Sequence, residues 1–231
     1  MTRALLSGLA LLLAAPAAAG TFTPPEGCTI FVTVQAKGCR VSNHYICEAD
    51  PQGDQWRTDF DQEGPFFTSR VDYEAQWVES FEIDPPVRQT LDPNPADPAS
   101  FSELLASGRD SYIFGLSDDT GERTRVRGSD SLTGRTVVID GVALQETSFN
   151  FTETDLAGNV LRRSRGNEYI SAEWRLFFSG PSQWDGGDGT FVPIDGSPMQ
   201  FIFPGEAGFA STQPIFDCDA VMSSLPVPPK S

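Results

Sequence analysis

The stretch RTVVIDGVALQETSFNFT, residues 135–152, decides the reading of the fold. Two runs rich in β-branched and aromatic residues flank Asp140-Gly141, and an Asp-Gly pair supplies the positive φ angles of a tight hairpin turn. Polar and apolar residues alternate along these runs with the period-two spacing of a half-buried strand. The pattern extends both ways. Runs at 112–116, 123–128, 159–170 and 173–179 are separated from this hairpin and from one another by turn chemistry such as Asp118-Asp119-Thr120-Gly121, Ser131-Leu132-Thr133-Gly134 and Ala157-Gly158. Closely spaced turns without helical patterns between them predict an all-β, mainly antiparallel fold: a curved meander sheet or half-barrel with one short helix.

Upstream, 29–35 and 40–46 read as two strands around Ala36-Lys37-Gly38, and 54–83 alternates through Trp56, Phe60, Val71, Trp77 and Phe81. Asp84-Pro85-Pro86 ends that run, and 91–98 is a proline-studded connector. The helix follows, capped by Asp97 or Ser100, with Phe101, Leu104 and Leu105 at helical spacing and Gly108 as its stop. After Gly180 the chain reads as irregular apart from a short strand at 199–203.

The first 19 residues have the form of a cleaved signal peptide: Arg3, an apolar run from Ala4 to Ala15, and small residues before Gly20. The expected organisation is this leader, a single β-rich domain over 20–219, and a disordered tail over 220–231. No stretch has the roughly 20 apolar residues of a membrane-spanning helix. A periplasmic or secreted location follows, and four cysteines fit an oxidising compartment. Cys28, Cys39, Cys47 and Cys218 allow three disulfide pairings. The strand reading places Cys28 opposite Cys47 and leaves Cys39 for Cys218, whereas a zinc site lacks its short Cys-x2-Cys knuckle.

The formal charge is −16, from 16 bases and 32 acids, which argues against a nucleic-acid partner. The acidity is uneven, because 121–175 holds eight arginines against eight acids. Arg123, Arg125 and Arg127 alternate along one strand, and Arg162, Arg163 and Arg165 lie on a later one. Arg123, Arg125, Arg127, Arg163 and Arg165 are thus candidate ligand-binding residues for an anion or acidic partner. The plainer reading makes them solvent-facing, paired with Glu146, Glu153, Glu168 or Glu173. Asp185, Asp188 and Asp195 lie in a glycine-rich segment with the composition of a calcium loop, but Phe191 stands where the glycine-rich calcium repeat needs aspartate. A polar turn is the competing reading. His44 is the sole histidine, and no Gly-x-Ser-x-Gly elbow accompanies it, so it reads as a structural or surface residue. No catalytic residue and no cofactor are assigned.

The leader, the serial strands of 112–179 and one helix beside them resemble the periplasmic lipoprotein-carrier (Lol-type) half-barrel in architecture, over about two thirds of the chain. That resemblance implies a curved open sheet whose concave apolar face holds acyl chains beneath a helical lid, here 97–107. The chain departs from the family in having fewer helices and in its disulfides, and no family binding residue carries over. The leading functional expectation is a non-enzymatic β-domain protein that binds a lipid-like ligand or an envelope protein partner. Two other classes stand beside it: an envelope-polymer hydrolase using paired carboxylates, and a structural or assembly module that presents an edge strand or its tail.

Overall fold

The computed structural model describes residues 20–218, so the expected signal peptide and the tail over 220–231 lie outside the described residues. Thirteen strands form one antiparallel sheet: β1 (Cys28–Ala36), β2 (Arg40–Cys47), β3 (Gln55–Phe60), β4 (Pro65–Val71), β5 (Trp77–Ile83), β6 (Pro86–Leu91), β7 (Arg109–Asp118), β8 (Arg123–Ile139), β9 (Val142–Asp155), β10 (Val160–Ser171), β11 (Leu176–Asp185), β12 (Val192–Asp195) and β13 (Pro198–Ile202). The single helix, α1 (Phe101–Ser107), lies between β6 and β7. From β12 back to β1 every neighbour in the sheet is also a neighbour in sequence, and the exception is β13, which returns to pair with β1.

The expected all-β meander with one short helix is therefore what forms, as an open sheet. Its two edges, β12 and β13, are consecutive in the chain and joined by Gly196-Ser197. Side chains bridge this seam. Lys37 Nζ lies 2.7 Å from Asp195, the Lys37 amide donates to the Ser197 carbonyl, and Arg40 donates to Ser179 Oγ and the Gly196 carbonyl. Beside it, Phe178 packs edge-on against Phe201 within a core that includes Val32, Val34 and Leu144.

Several boundaries differ from the sequence reading. Asp84-Pro85-Pro86 does not end the strand region but turns β5 into β6, with a cis Asp84–Pro85 peptide. Ser131-Leu132-Thr133-Gly134 is no turn. β8 runs on to Ile139 and absorbs the extra residues as a bulge between Leu132 and Thr136, with Gly134 at φ 80°. The turn before β11 falls at 172–175, and 181–195, read as largely irregular, instead completes β11 and forms β12.

α1 forms as expected. Ser100 caps it by accepting from the Glu103 amide, and Gly108 ends it at φ 83°. Glu74 accepts from the Ser102 amide and hydroxyl, and Arg175 bonds Ser102 and the Tyr73 carbonyl while stacking over Phe101. This tether presses Phe101 and Leu104 onto Ile170, Leu132 and Phe177.

The segment after β13 covers one face of β1 and β2 through buried polar side chains. Thr33 accepts from the Ala210 amide, Asn43 donates to the Ser211 carbonyl, and Gln35 both donates to Gln213 and accepts from Ile215. Irregular backbone is thereby satisfied without a strand partner. The disulfides pair as the strand reading favours, Cys28–Cys47 across β1 and β2 and Cys39–Cys218 from the β1–β2 turn to the covering segment. Their sequence separations are 19 and 179, so the chain-entropy argument assigns them about 3 and about 5 kcal/mol. Urea unfolding of Cys39→Ser/Cys218→Ser should therefore show a larger loss, by about 1–2 kcal/mol, than Cys28→Ser/Cys47→Ser.

Candidate functional site

Residues opposite one another in an antiparallel pair point to the same face, so the register assigns each face of the sheet. Asp110 on β7 lies opposite Asp130 on β8, Asp130 opposite Phe149 on β9, and Phe149 opposite Gly166 on β10, two residues before Glu168. On β8 the parity of Val126 and Gly128 continues to Asp130, and on β9 Phe149 is followed at the same parity by Phe151 and Glu153. Carboxyls and aromatic rings thus share one face. A Cβ on Gly128 would lie 2.5 Å from the Tyr112 ring, so glycine there lets Tyr112 lie over β8.

This face encloses an inner chamber of about 270 Å³. Phe67, Trp77, Tyr112, Phe114, Phe149, Phe151 and Phe177 line it, Phe101 of α1 forms part of its wall, and Glu74, Asp110, Asp130, Glu168, Arg57 and Arg162 supply its charges. A wider cleft of about 940 Å³ shares Phe149, Phe151 and Glu168 with the chamber. The cleft reaches the seam at Lys37, Arg40 and Asp195, with Phe66 and Ile194 as apolar walls.

Both arginines of the chamber have carboxylates of their own. Arg162 pairs with Glu153 and lies over Trp77 and Phe151, 5.9 and 5.7 Å from the ring centroids. Arg57 Nε is 3.1 Å from Asp59, which also accepts from Ser42. Asp110 accepts from the Ser100 amide. Asp130 and Glu168 accept no hydrogen bond among the described residues, and Asp130 is only 7 % exposed. Burial, reinforced by the Asp110 charge, pushes the Asp130 carboxyl up to about 7. Burial together with Asp130, opposed by Arg57, pushes Glu168 up to about 8. Asp110 rises to about 6, again chiefly by burial.

His44 is 3 % exposed, with its ring edge-on to Phe178. Burial and then Arg57, against the pull of Asp59, lower it to about 3, and its Nδ1 has no partner among the described residues. It is a neutral core residue, structural rather than surface.

The sequence-predicted arginines lie on the opposite face. Arg127 stands across from Thr152, which stands across from Arg163, and Asn150 is across from Arg165. Arg123, Arg125 and Arg127 share that outward parity. The structure brings these residues onto one outer surface, away from the chamber. There Arg123 pairs with Asp92 and Arg163 with Asp185, while Arg165 bonds Gln183 and stacks 4.0 Å from the Phe191 centroid. Of the acids expected to neutralise outward arginines, Glu146 pairs with Arg135, but Glu153 and Glu168 point to the chamber face.

Asp185, Asp188 and Asp195 do not converge. Asp185 is wholly buried, bonded to Arg163 and the Gly187 and Gly189 amides; Asp188 accepts from the Thr190 amide, and Asp195 meets Lys37 and Ser197. Among the described residues no group of three His, Cys, Asp or Glu side chains is placed to hold a metal ion.

Sequence reasoning passed over Asp110 and Asp130 and took Glu168 only for a partner of the outward arginines. Their signal was parity. Asp110 precedes Tyr112, Phe114 and Leu116 at alternate positions, Asp130 follows Val126, and Glu168 precedes Ile170, each an acid in a core-facing register. Comparison of the chain with protein-family models, curated proteins and solved structures finds no match.

The raised carboxyls give stability a definite pH dependence. Asp130 and Glu168 retain protons in the folded state that the unfolded chain releases near pH 4, so stability falls as pH rises toward 8. His44 acts oppositely, its contribution being lost as pH falls below 6.5, and is silent above that. The melting temperature should drop by about 5 °C or more between pH 6.5 and 9. An Asp130→Asn/Glu168→Gln variant should flatten that slope, as scanning calorimetry would read.

Proposed function

We propose that this chain is a non-enzymatic, periplasmic or secreted binding protein that holds an apolar ligand in the chamber beneath α1. One observation carries the reading: eight aromatic rings line a chamber that shares part of its wall with a wider cleft. Small-molecule sites are concave and mostly apolar, with a few polar groups to orient the ligand, and span about 300–1,000 Å³. The chamber, at about 270 Å³, lies near the lower end of that range and the cleft, at about 940 Å³, near its upper end. Two disulfides fit an oxidising compartment, and no helix among the described residues is long and apolar enough to cross a membrane.

The paired-carboxylate hydrolase has less support. Glycoside chemistry divides labour between a protonated acid and an ionised base or nucleophile. Here burial drives Asp110, Asp130 and Glu168 in the same direction.

N-phenyl-1-naphthylamine, an uncharged apolar fluorophore, should bind saturably at one site with a low-micromolar Kd. Ala99 lines the chamber, so Ala99→Trp should narrow it and weaken that binding at least tenfold with little change in melting temperature. Absence of saturable binding, or an affinity indifferent to Ala99→Trp, would sink the proposal.

A further inference from the structure

We propose that the inner chamber recognises an organic ammonium group, seated at Asp130 and Glu168 against the aromatic walls. This rests on the binding reading above and names the chemical class of the ligand. Asp130 is more than nine-tenths buried, lines the chamber, and has no hydrogen-bond partner among the described residues. Glu168 stands where chamber and cleft meet and is likewise without one. A buried polar group left unmet carries an unrecovered desolvation cost, so Asp130 favours a ligand that meets it, and part-buried Glu168 stands on the path from the cleft.

Charge selects which ligand. The lining arginines already face carboxylates, Arg57 with Asp59 and Arg162 with Glu153, which leaves Asp110, Asp130 and Glu168 without a cation of their own. An entering carboxylate or phosphate meets like charge or acid protons it must share, whereas an ammonium meets its complement. The walls favour the same choice, because aromatic faces attract cations and Arg162 already lies over Trp77 and Phe151 in this chamber. The fully buried donors Trp77 Nε1 and Arg57 Nε, the latter in ion-pair contact with Asp59 but making no hydrogen bond, are shut away from any ligand, unlike the two carboxyls.

Burial keeps Glu168 largely and Asp130 about half protonated near neutrality, so entry of an ammonium releases protons to solvent. The other ionisable groups on the chamber wall are Asp110, Glu74, Tyr112, Arg57 and Arg162.

The test is calorimetric titration of the purified protein at pH 7 with decylammonium, decanol and decanoate, which share one alkyl chain. Decylammonium should bind at least tenfold more tightly than decanol, and decanoate more weakly than decanol. The decylammonium heat should vary with buffer ionisation enthalpy in the sense of proton release. Asp130→Asn/Glu168→Gln should shrink the ammonium preference below threefold while decanol affinity stays within twofold. Equal or tighter binding of decanol or decanoate to the unaltered protein overturns the inference but leaves the binding reading standing. A preference that survives in the double variant does the same. If none of the three alkyl probes nor N-phenyl-1-naphthylamine binds, the binding reading itself falls. Should the double variant fail to fold, each single substitution is titrated, and the discrimination by the unaltered protein remains decisive.

Discussion

The pairing of β13 with β1 is the constraint on which the remaining architecture depends. Every other neighbouring pair in the sheet joins consecutive strands, and such a meander specifies order without specifying how far the sheet curls. Returning β13 to β1 brings the two edges to the same seam and sets Phe201 beside Phe178 and Trp174. It also delivers the following segment to the polar face of β1 and β2, where Thr33, Gln35 and Asn43 receive it. The chamber is what the curl encloses. A flat sheet of the same strands would leave Phe149, Phe151 and Tyr112 facing water.

Enclosure sets two demands against each other. Aromatic walls gain by leaving water, whereas Asp110, Asp130 and Glu168 lose by it. A core designed for stability alone would carry apolar residues at those three positions, since the surrounding register is apolar. Departures from local rules at a cavity wall are where function is most economically sought, because the surrounding fold must offset them. Here the two arginines of the face already meet Asp59 and Glu153, and the three carboxyls Asp110, Asp130 and Glu168 are left without a cation of their own.

Much of this fold was legible in the chain. Asp140-Gly141 between alternating runs marks the β8–β9 hairpin, Ser100 and Gly108 bound α1, and the strand reading around Ala36-Lys37-Gly38 anticipates both disulfides. What escaped did so for physical reasons. A turn-like tetrapeptide at 131–134 is tolerated inside β8 as a bulge, and Pro85-Pro86 makes a turn that resembles a terminator. β12 is a short edge strand with Pro193 in it, which local propensity reads as loop. The candidate site was hidden by a habit of reading acids as surface. Arginines draw the eye in an acidic chain, yet Arg125 and Arg127 are outward and exposed, whereas the informative feature was an acid in phase with Tyr112, Phe114 and Leu116.

The covering segment that ends at Cys218 has a consequence for assembly. Hairpins that close within some twenty residues can form as soon as each pair of strands is available, and Cys28–Cys47 belongs to that early class. The β1–β13 ladder and Cys39–Cys218 cannot form until nearly the whole chain has emerged. Until then β1 offers an unpaired edge and Cys39 an unpartnered thiol, a template for wrong strands and wrong disulfides. The β13 ladder and the Cys218 bridge therefore act as the molecule's own closure, and the interval before they form is when a folding helper would have most to protect.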